Sequence, residues 1–238
     1  MNIKESEQKV EIQREALSIL ASLYGEVFGA PPWNEVWRCQ QCDRFYGPGF
    51  VAGQLSPCCQ KTLVTAYPIE ETSRYIEEEL KKPLARLVLG FSQNDQLVSF
   101  AWGYQVEDAC YLARKKWPQS TATQTEVVKA ITQFQRPELP SYYISEVGVN
   151  FDFRGNGFGT ETTRRLLEYA NENRLPVVLR TTLASSMTKI SLNLGMTQIM
   201  GPVPTFQENS VIKSGKIINF LDGVNPERVL FIKLPNLC

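Results

Sequence analysis

The sequence predicts an α/β fold, on three observations. Runs rich in Val, Ile, Tyr and Phe alternate with segments whose apolar residues recur every three to four positions. Two of the β-rich runs are joined by a hairpin signal. Between Tyr142 and Arg180 the chain reads strand, glycine turn, helix, strand. Alternation of the two periods is what helices packed on a sheet require.

The first helix is expected over Glu7 to Phe28, where Val10, Ile12, Ala16, Ile19, Leu20, Leu23 and Val27 fall at helical intervals, and Gly29, Pro31 and Pro32 end it. Residues 33–65 break the pattern with Gly, Pro, Gln and Cys and read as an inserted module. A short acidic helix follows from Glu70 to Lys82, stopped by Pro83. Leu84 to Phe91 and Gln96 to Val106 are β-rich, and Ser92, Gln93, Asn94 and Asp95 between them supply the turn. Thr123 to Phe134 reads as a helix, broken by Pro137 and Pro140. A strand runs from Tyr142 to Val149, and the helix Gly157 to Asn173 buries Thr162, Leu166, Leu167 and Ala170. Pro176 to Thr182 is a strand, Ser185 to Leu194 a helix, Thr197 to Met200 a short strand, and Arg228 to Leu234 a last strand. Gly201 to Pro226 reads as a long loop.

Composition removes several classes of function. The 238 residues are 43% hydrophobic, which suits one globular domain over 1–238 carrying an insertion at 33–65. With 25 basic against 25 acidic residues and no long basic run, nothing draws the chain onto nucleic acid. Met1 to Lys9 is polar and charged, unlike a secretory leader, and no apolar run is long enough for a bilayer, so a cytoplasmic protein without membrane contact is expected. The chain has 0 histidines, so His-based acid–base catalysis and His ligation of a metal are excluded.

The turn Arg154, Gly155, Asn156, Gly157, Phe158, Gly159 carries the chemistry. Backbone N–H groups of such a turn converge with the unsatisfied N–H groups and positive end of the following helix, making a pocket for phosphate. A dinucleotide fingerprint begun at Gly155 requires glycine at position 160, which is Thr160, and no Gly-Lys-Ser/Thr follows the strand. An ordinary strand-to-helix turn with glycines at positive φ is the plain alternative.

The spacing of Arg154, Gly157 and Gly159, after a strand and before an amphipathic helix, resembles the GNAT superfamily of acyl-CoA-dependent N-acyltransferases, most strongly over Ser141 to Met196. The resemblance implies a mixed, mostly antiparallel central sheet flanked by helices, with the helix at 123–134 an addition to the minimal layout. It implies that acetyl-CoA lies between the strand ending at Val149 and the strand Pro176 to Thr182. Main-chain groups of Val147 and Val149 would take the pantetheine arm, and Arg154, Gly155, Asn156, Gly157, Phe158, Gly159 and Thr160 the pyrophosphate. The reaction would be direct attack of an amine on the thioester. Glu146, in an otherwise apolar β segment where burial raises its pKa, is the candidate base; a structural ion pair is the alternative.

In many members a tyrosine before a Gly-Phe pair protonates the departing thiolate. Here the pair is Gly195, Met196 and the matching position is Ser191. Ser191, Ser185, Ser186, Tyr142 or water could replace that acid, or the thiolate could leave unprotonated. Glu26, Trp33 and Glu35 resemble residues flanking the acceptor groove.

Cys39 and Cys42, then Cys58 and Cys59, give a second signal. A Cys-x-x-Cys knuckle and a second pair at ribbon-like distance suit a structural zinc with four thiolates, although adjacent cysteines are irregular for one ion; reduced thiols or a redox pair at 39 and 42 are the alternatives. The leading expectation is an N-acetyltransferase for a small-molecule or peptide amine. The alternatives are a CoA-binding regulatory protein and a zinc-mediated interaction protein. A homodimer is compatible with these residues but not specified by them.

Overall fold

The computed structural model describes residues 2–6, 14–116, 121–204 and 227–236. Its seven-stranded sheet is built from β1 (Asn2–Ser6), β5 (Arg86–Phe91), β6 (Leu97–Val106), β7 (Ser141–Val149), β8 (Val177–Thr182), β10 (Glu227–Lys233) and β9 (Thr197–Pro204), in that spatial order. Every pairing is antiparallel except β7 with β8. The expected mixed, mostly antiparallel sheet flanked by helices is therefore what forms.

One face is covered by α5 (Phe158–Glu172), whose Thr162, Thr163, Leu166, Leu167 and Ala170 turn inward at helical spacing. Burying a side chain such as Leu166, 0% exposed, contributes about 1.5–3 kcal/mol. The opposite face carries α1 (Arg14–Gly29) and α2 (Ile69–Leu80) over Leu87, Phe100 and Trp102. Beside them, α3 (Ala109–Lys116) and α4 (Thr121–Thr132) lie over Tyr104, Tyr143, Val178 and Leu230. The hairpin between β5 and β6 closes as expected: the Ser92 hydroxyl accepts from the amides of Asn94 and Gln96, and Asp95 takes φ 55°. Among the described residues, no helix is long and apolar enough to cross a membrane.

Three elements depart from the sequence reading. β1 was not expected, because a five-residue strand at the edge of the sheet leaves too little alternation to detect. α3 occupies a stretch assigned to no element; Ala109, Leu112 and Ala113 make one short buried stripe. β9 continues to Pro204 instead of stopping at Met200. Its prolines are tolerated because β9 is the last strand of the sheet, and Gly201, at φ 115°, absorbs a register shift where a Cβ would lie 2.6 Å from the Arg228 carbonyl. Val10 and Ile12 of the expected first helix, and 205–226 of the expected loop, lie outside the described residues.

The insertion holds a sheet of its own, β3 (Phe45–Tyr46), β2 (Trp37–Cys39) and β4 (Leu63–Thr65), in the order β3-β2-β4. Cys39, Tyr46 and Leu63 are buried at its centre against Trp37, Phe50, Cys58 and Cys59. It is fastened to α2 by Arg38, whose Nη2 donates to Glu71 Oε2 at 2.7 Å, and Phe45 stacks on Tyr67 at 5.5 Å between ring centres.

Candidate active site

Two irregularities of β7 create the site. The first is where its pairing stops. β7 and β8 pair over Tyr142, Tyr143 and Ile144 with Val177, Val178 and Leu179, and no further. Beyond Ile144 the strands splay, and the edge of residues 145–149 that would face β8 has no strand partner among the described residues. A free edge of this kind accepts an extended amide chain.

The second is a bulge. Trp102 of β6 pairs with Glu146 while Gly103 pairs with Ile144, so Ser145 is the extra residue. Strict alternation would send Glu146 to the α5 face. The extra residue turns Ser145 and Glu146 both toward α2: the Ser145 hydroxyl donates to Glu79 Oε2 at 2.8 Å, and the Tyr75 hydroxyl donates to Glu146 Oε1 at 3.1 Å. Val147 then packs on the α5 side.

Glu146 retains some open surface but sits deep between α2, α3 and the sheet. Burial pushes its carboxyl up, and the Glu79 charge adds to this. Lys116, the Tyr75 bond and Arg180 pull the other way, leaving the group at about 7. Glu79 behaves oppositely: burial alone would raise it, but the bond from Lys82, the charges of Lys116 and Lys82, and the Ser145 hydroxyl hold it below the ordinary carboxylate range. A carboxylate held near neutrality can both take up and release a proton around pH 7.

On the α5 side the splay opens into a cleft of ≈ 330 Å³ lined by Val147, Val149, Arg154, Gly155, Gly157, Phe158, Gly159 and Thr160, and closed by Val27, Pro32 and Trp33. Gly157 is the N-cap of α5, and Gly155 and Gly157 have φ 81° and 84°, so both need glycine for the backbone alone. A Cβ on either meets nothing within 4 Å, whereas one on Gly159 would touch Ile190 at 3.3 Å and Val149 at 3.4 Å. The start of α5 thus borders an open space, and the unsatisfied amides of a helix N-terminus favour an anion.

Two residues of the expected set stand apart. Asn156 does not line the cleft; its Nδ2 donates to the Phe153 carbonyl. Arg154 lines it, but Nε donates to the Val149 carbonyl at 3.3 Å and Nη1 to the Pro31 carbonyl at 2.6 Å. The side chain ties the turn to the loop after α1.

Ser191 requires a correction. In α6 (Ser186–Asn193) it falls four residues after Met187, on the stripe turned inward; it is 0% exposed, and its hydroxyl has no hydrogen-bond partner. The cleft is lined instead by Ser185, Ser186, Lys189 and Ile190. Tyr142 is likewise fully buried. The Ser185 hydroxyl caps α6 by accepting from the Met187 amide at 3.2 Å, so Ser186 is the cleft-lining hydroxyl of the expected group without a capping role.

Of the residues proposed beside the acceptor, Glu26 is exposed and accepts from Asn150 Nδ2. Glu35 is buried, accepts from the Tyr67 hydroxyl, and is raised by burial. Trp33 lines the same cleft and also lies under Arg228, 4.9 Å from ring centre to guanidinium. Sequence reasoning missed Tyr75, Glu79, Lys116 and Arg228. It also missed Arg180, although a charged residue inside the apolar run Val177 to Thr182 was a visible signal.

Cys39, Cys42, Cys58 and Cys59 come together, with all four sulfurs within 4.8 Å of one another and Cys42 and Cys58 at 3.4 Å. Four thiolates around a tetrahedral zinc stand about 3.8 Å apart, from Zn–S bonds of about 2.3 Å. The Ser56 hydroxyl donates to the Cys39 sulfur at 3.2 Å, as an outer hydrogen bond to a ligating thiolate does.

No family model matches this sequence, and no curated protein matches it. Solved structures do. The fold superposes on mosquito arylalkylamine N-acetyltransferase like 5b with a TM-score of 0.57 at 8% identity, covering 98% of this chain and 100% of that one. It superposes on an agmatine N-acetyltransferase variant with a TM-score of 0.55 at 11% identity, covering 98% and 100%. For arylalkylamine N-acetyltransferase 2 from Aedes aegypti the values are 0.55 at 13% identity, covering 99% and 100%. The chain has the fold of the GNAT N-acetyltransferases.

Proposed function

We propose that the protein is an acetyl-CoA-dependent N-acetyltransferase acting on an amine by direct attack. The observation that carries this reading is the bulge at Ser145, which places a near-neutral Glu146 on one face of β7 while the same strand offers a free edge to the donor cleft on the other. The fold neighbours support it: their names describe acetylation of arylalkylamines and of agmatine.

Acetyl-CoA supplies an activated acyl carbon. The residues present fit it: the free edge at Val147 and Val149 for the pantetheine amides, and the amides of Gly155 to Thr160 for the pyrophosphate. The amine nitrogen bonds to the thioester carbon, the C–S bond breaks, and the amine's proton passes to Glu146. The amide of Val147 is the candidate donor to the oxyanion. Ser186 or water is left to protonate the thiolate.

The cysteine cluster is read as a structural zinc site. Its donor set is all sulfur, its spacing fits a tetrahedron, and four thiolates leave no open position for catalysis.

The test is release of free CoA from acetyl-CoA with a panel of amines, alongside the Glu146→Gln protein. Amine-dependent release that falls at least about a hundredfold in the variant supports the reading. Acetyl-CoA binding without amine-dependent release from any acceptor would instead favour a CoA-binding regulatory role.

A further inference from the structure

Glu79 is a buried acid that the transfer reaction leaves unused. It lies one helical turn after Tyr75, so α2 presents both from one face. The two side chains grip consecutive residues of β7: the Tyr75 hydroxyl donates to Glu146 Oε1 at 3.1 Å, and Glu79 Oε2 accepts from the Ser145 hydroxyl at 2.8 Å. Ser145 is the extra residue of the bulge.

The second oxygen of Glu79 is held as firmly. Oε1 accepts from Lys82 and, at 3.3 Å, from Lys115, whose Nζ also donates to the Tyr104 hydroxyl at 3.1 Å. Burial would raise this carboxyl, but the bond from Lys82 and the charges of Lys116 and Lys82 keep it ionised. An ionised acceptor holds a hydroxyl roughly twice as strongly as a neutral one. A bulge released from such an anchor can relax, and strict alternation would turn Glu146 to the α5 face.

We propose that Glu79 is a positioning residue for the base: through Ser145 it pins the bulge of β7, and the pinned bulge keeps Glu146 on the α2 side of the sheet. This rests on the acetyltransferase reading in taking Glu146 as the base. The Glu79 charge also acts on Glu146. Within electrostatic reach of that carboxyl, besides Tyr75 and Glu79, are Tyr24 of α1, Tyr67 ahead of α2, Lys116 of α3, Tyr143 of β7, Arg180 of β8 and Arg228 of β10. Burial disfavours its charged form; Lys116, Tyr75 and Arg180 favour that form, and Glu79 opposes it.

The experiment compares Glu79→Gln with Glu79→Leu in the full chain. Both remove the charge, and only Glu79→Gln leaves an oxygen to accept from Ser145. On the high-pH plateau, kcat for amine-dependent CoA release should be at least about tenfold higher in Glu79→Gln than in Glu79→Leu, since misplacing a reacting group by about 1 Å can cost about a hundredfold. Ser145→Ala removes the same bond from the other end without touching an ion pair, and should lose about tenfold or more against the parent. In parallel, carboxyl-carbon NMR of glutamate-labelled protein follows Glu146, its signal identified by loss in Glu146→Gln. Its midpoint should fall by about half a pH unit or more in Glu79→Gln, as the charge goes, and take a different value again in Glu79→Leu, where the bulge is released. Equal kcat in the two Glu79 variants, parent-like kcat in Ser145→Ala, or an unmoved midpoint overturns the proposal. If the parent turns over no amine, the enzyme reading falls by itself. Midpoints that differ between the two Glu79 variants then keep Glu79 as the residue that positions Glu146, and identical midpoints remove it.

Discussion

The Tyr75 hydroxyl donates to Glu146 Oε1 at 3.1 Å, joining α2 to the bulge of β7. The contact links an acidic helix to a carboxylate held near neutrality. Because a hydrogen bond to the charged form favours that form, Tyr75 lowers the Glu146 pKa against the burial that raises it.

The pH profile of kcat/KM should therefore rise through an apparent pKa of about 7, the limb belonging to the unprotonated base. Tyr75→Phe should move that limb to higher pH, and Glu146→Gln should remove it with a loss of about 10²-fold or more. An unshifted limb in Tyr75→Phe would break the assignment.

Stability should move the other way from activity. Glu146 is raised in the fold from 4.5 to about 7, so over that window the folded protein binds more protons than the unfolded chain, and stability falls as pH rises. Glu146→Gln escapes the penalty. It should be the more stable protein above about pH 7, by at most about 3 kcal/mol in urea denaturation, and the advantage should vanish on acidification.

Glu79 has the opposite sign. Held below the ordinary carboxylate range, it contributes stability above that range, and the contribution is lost as pH falls through its folded pKa. Glu79→Ala leaves Lys82, Lys115 and Ser145 without their shared acceptor, and urea denaturation should show a loss of about 3–5 kcal/mol near neutral pH that shrinks in acid.

The glycine turn separates conformation from contact. A Cβ at Gly157 meets no atom within 4 Å, but φ 84° strains any L side chain, so Gly157→Ala should cost about 1–2 kcal/mol and Gly157→Asn less. Both should weaken acetyl-CoA at least tenfold by displacing the α5 amides, read by calorimetry. Unchanged affinity would remove the phosphate assignment.

Removing one thiol of the proposed zinc site should act locally. Cys39→Ser should lower bound zinc from about one equivalent to near zero by elemental analysis, in keeping with four thiolates serving one ion. It should also speed hydrogen exchange across 37–65, since the small sheet buries little else than Cys39, Tyr46 and Leu63. Acetyl-CoA affinity should hold, because the donor cleft is lined from outside that sheet.

Much of this was legible in the chain. Strands and helices of the glycine-turn unit followed from period and breakers, and Gly155 and Gly157 announced positive φ by residue type. Glu146 stood out as a lone acid in an apolar run. Ser191 misled because its place in a pattern says nothing about which face of α6 it takes. Tyr75, Lys116 and Arg228 were invisible because they join Glu146 from three elements far apart in sequence.

By itself the sequence determined the α/β class, the glycine turn at the head of α5 and the four thiols in one insertion, all consequences of local spacing and backbone preference. Only the tertiary structure decided which way Glu146 points, since one extra residue in β7 reverses the face on which every later side chain lies. It alone placed Arg180 and Arg228 beside each other, because cross-strand register is set by the packing of the whole sheet.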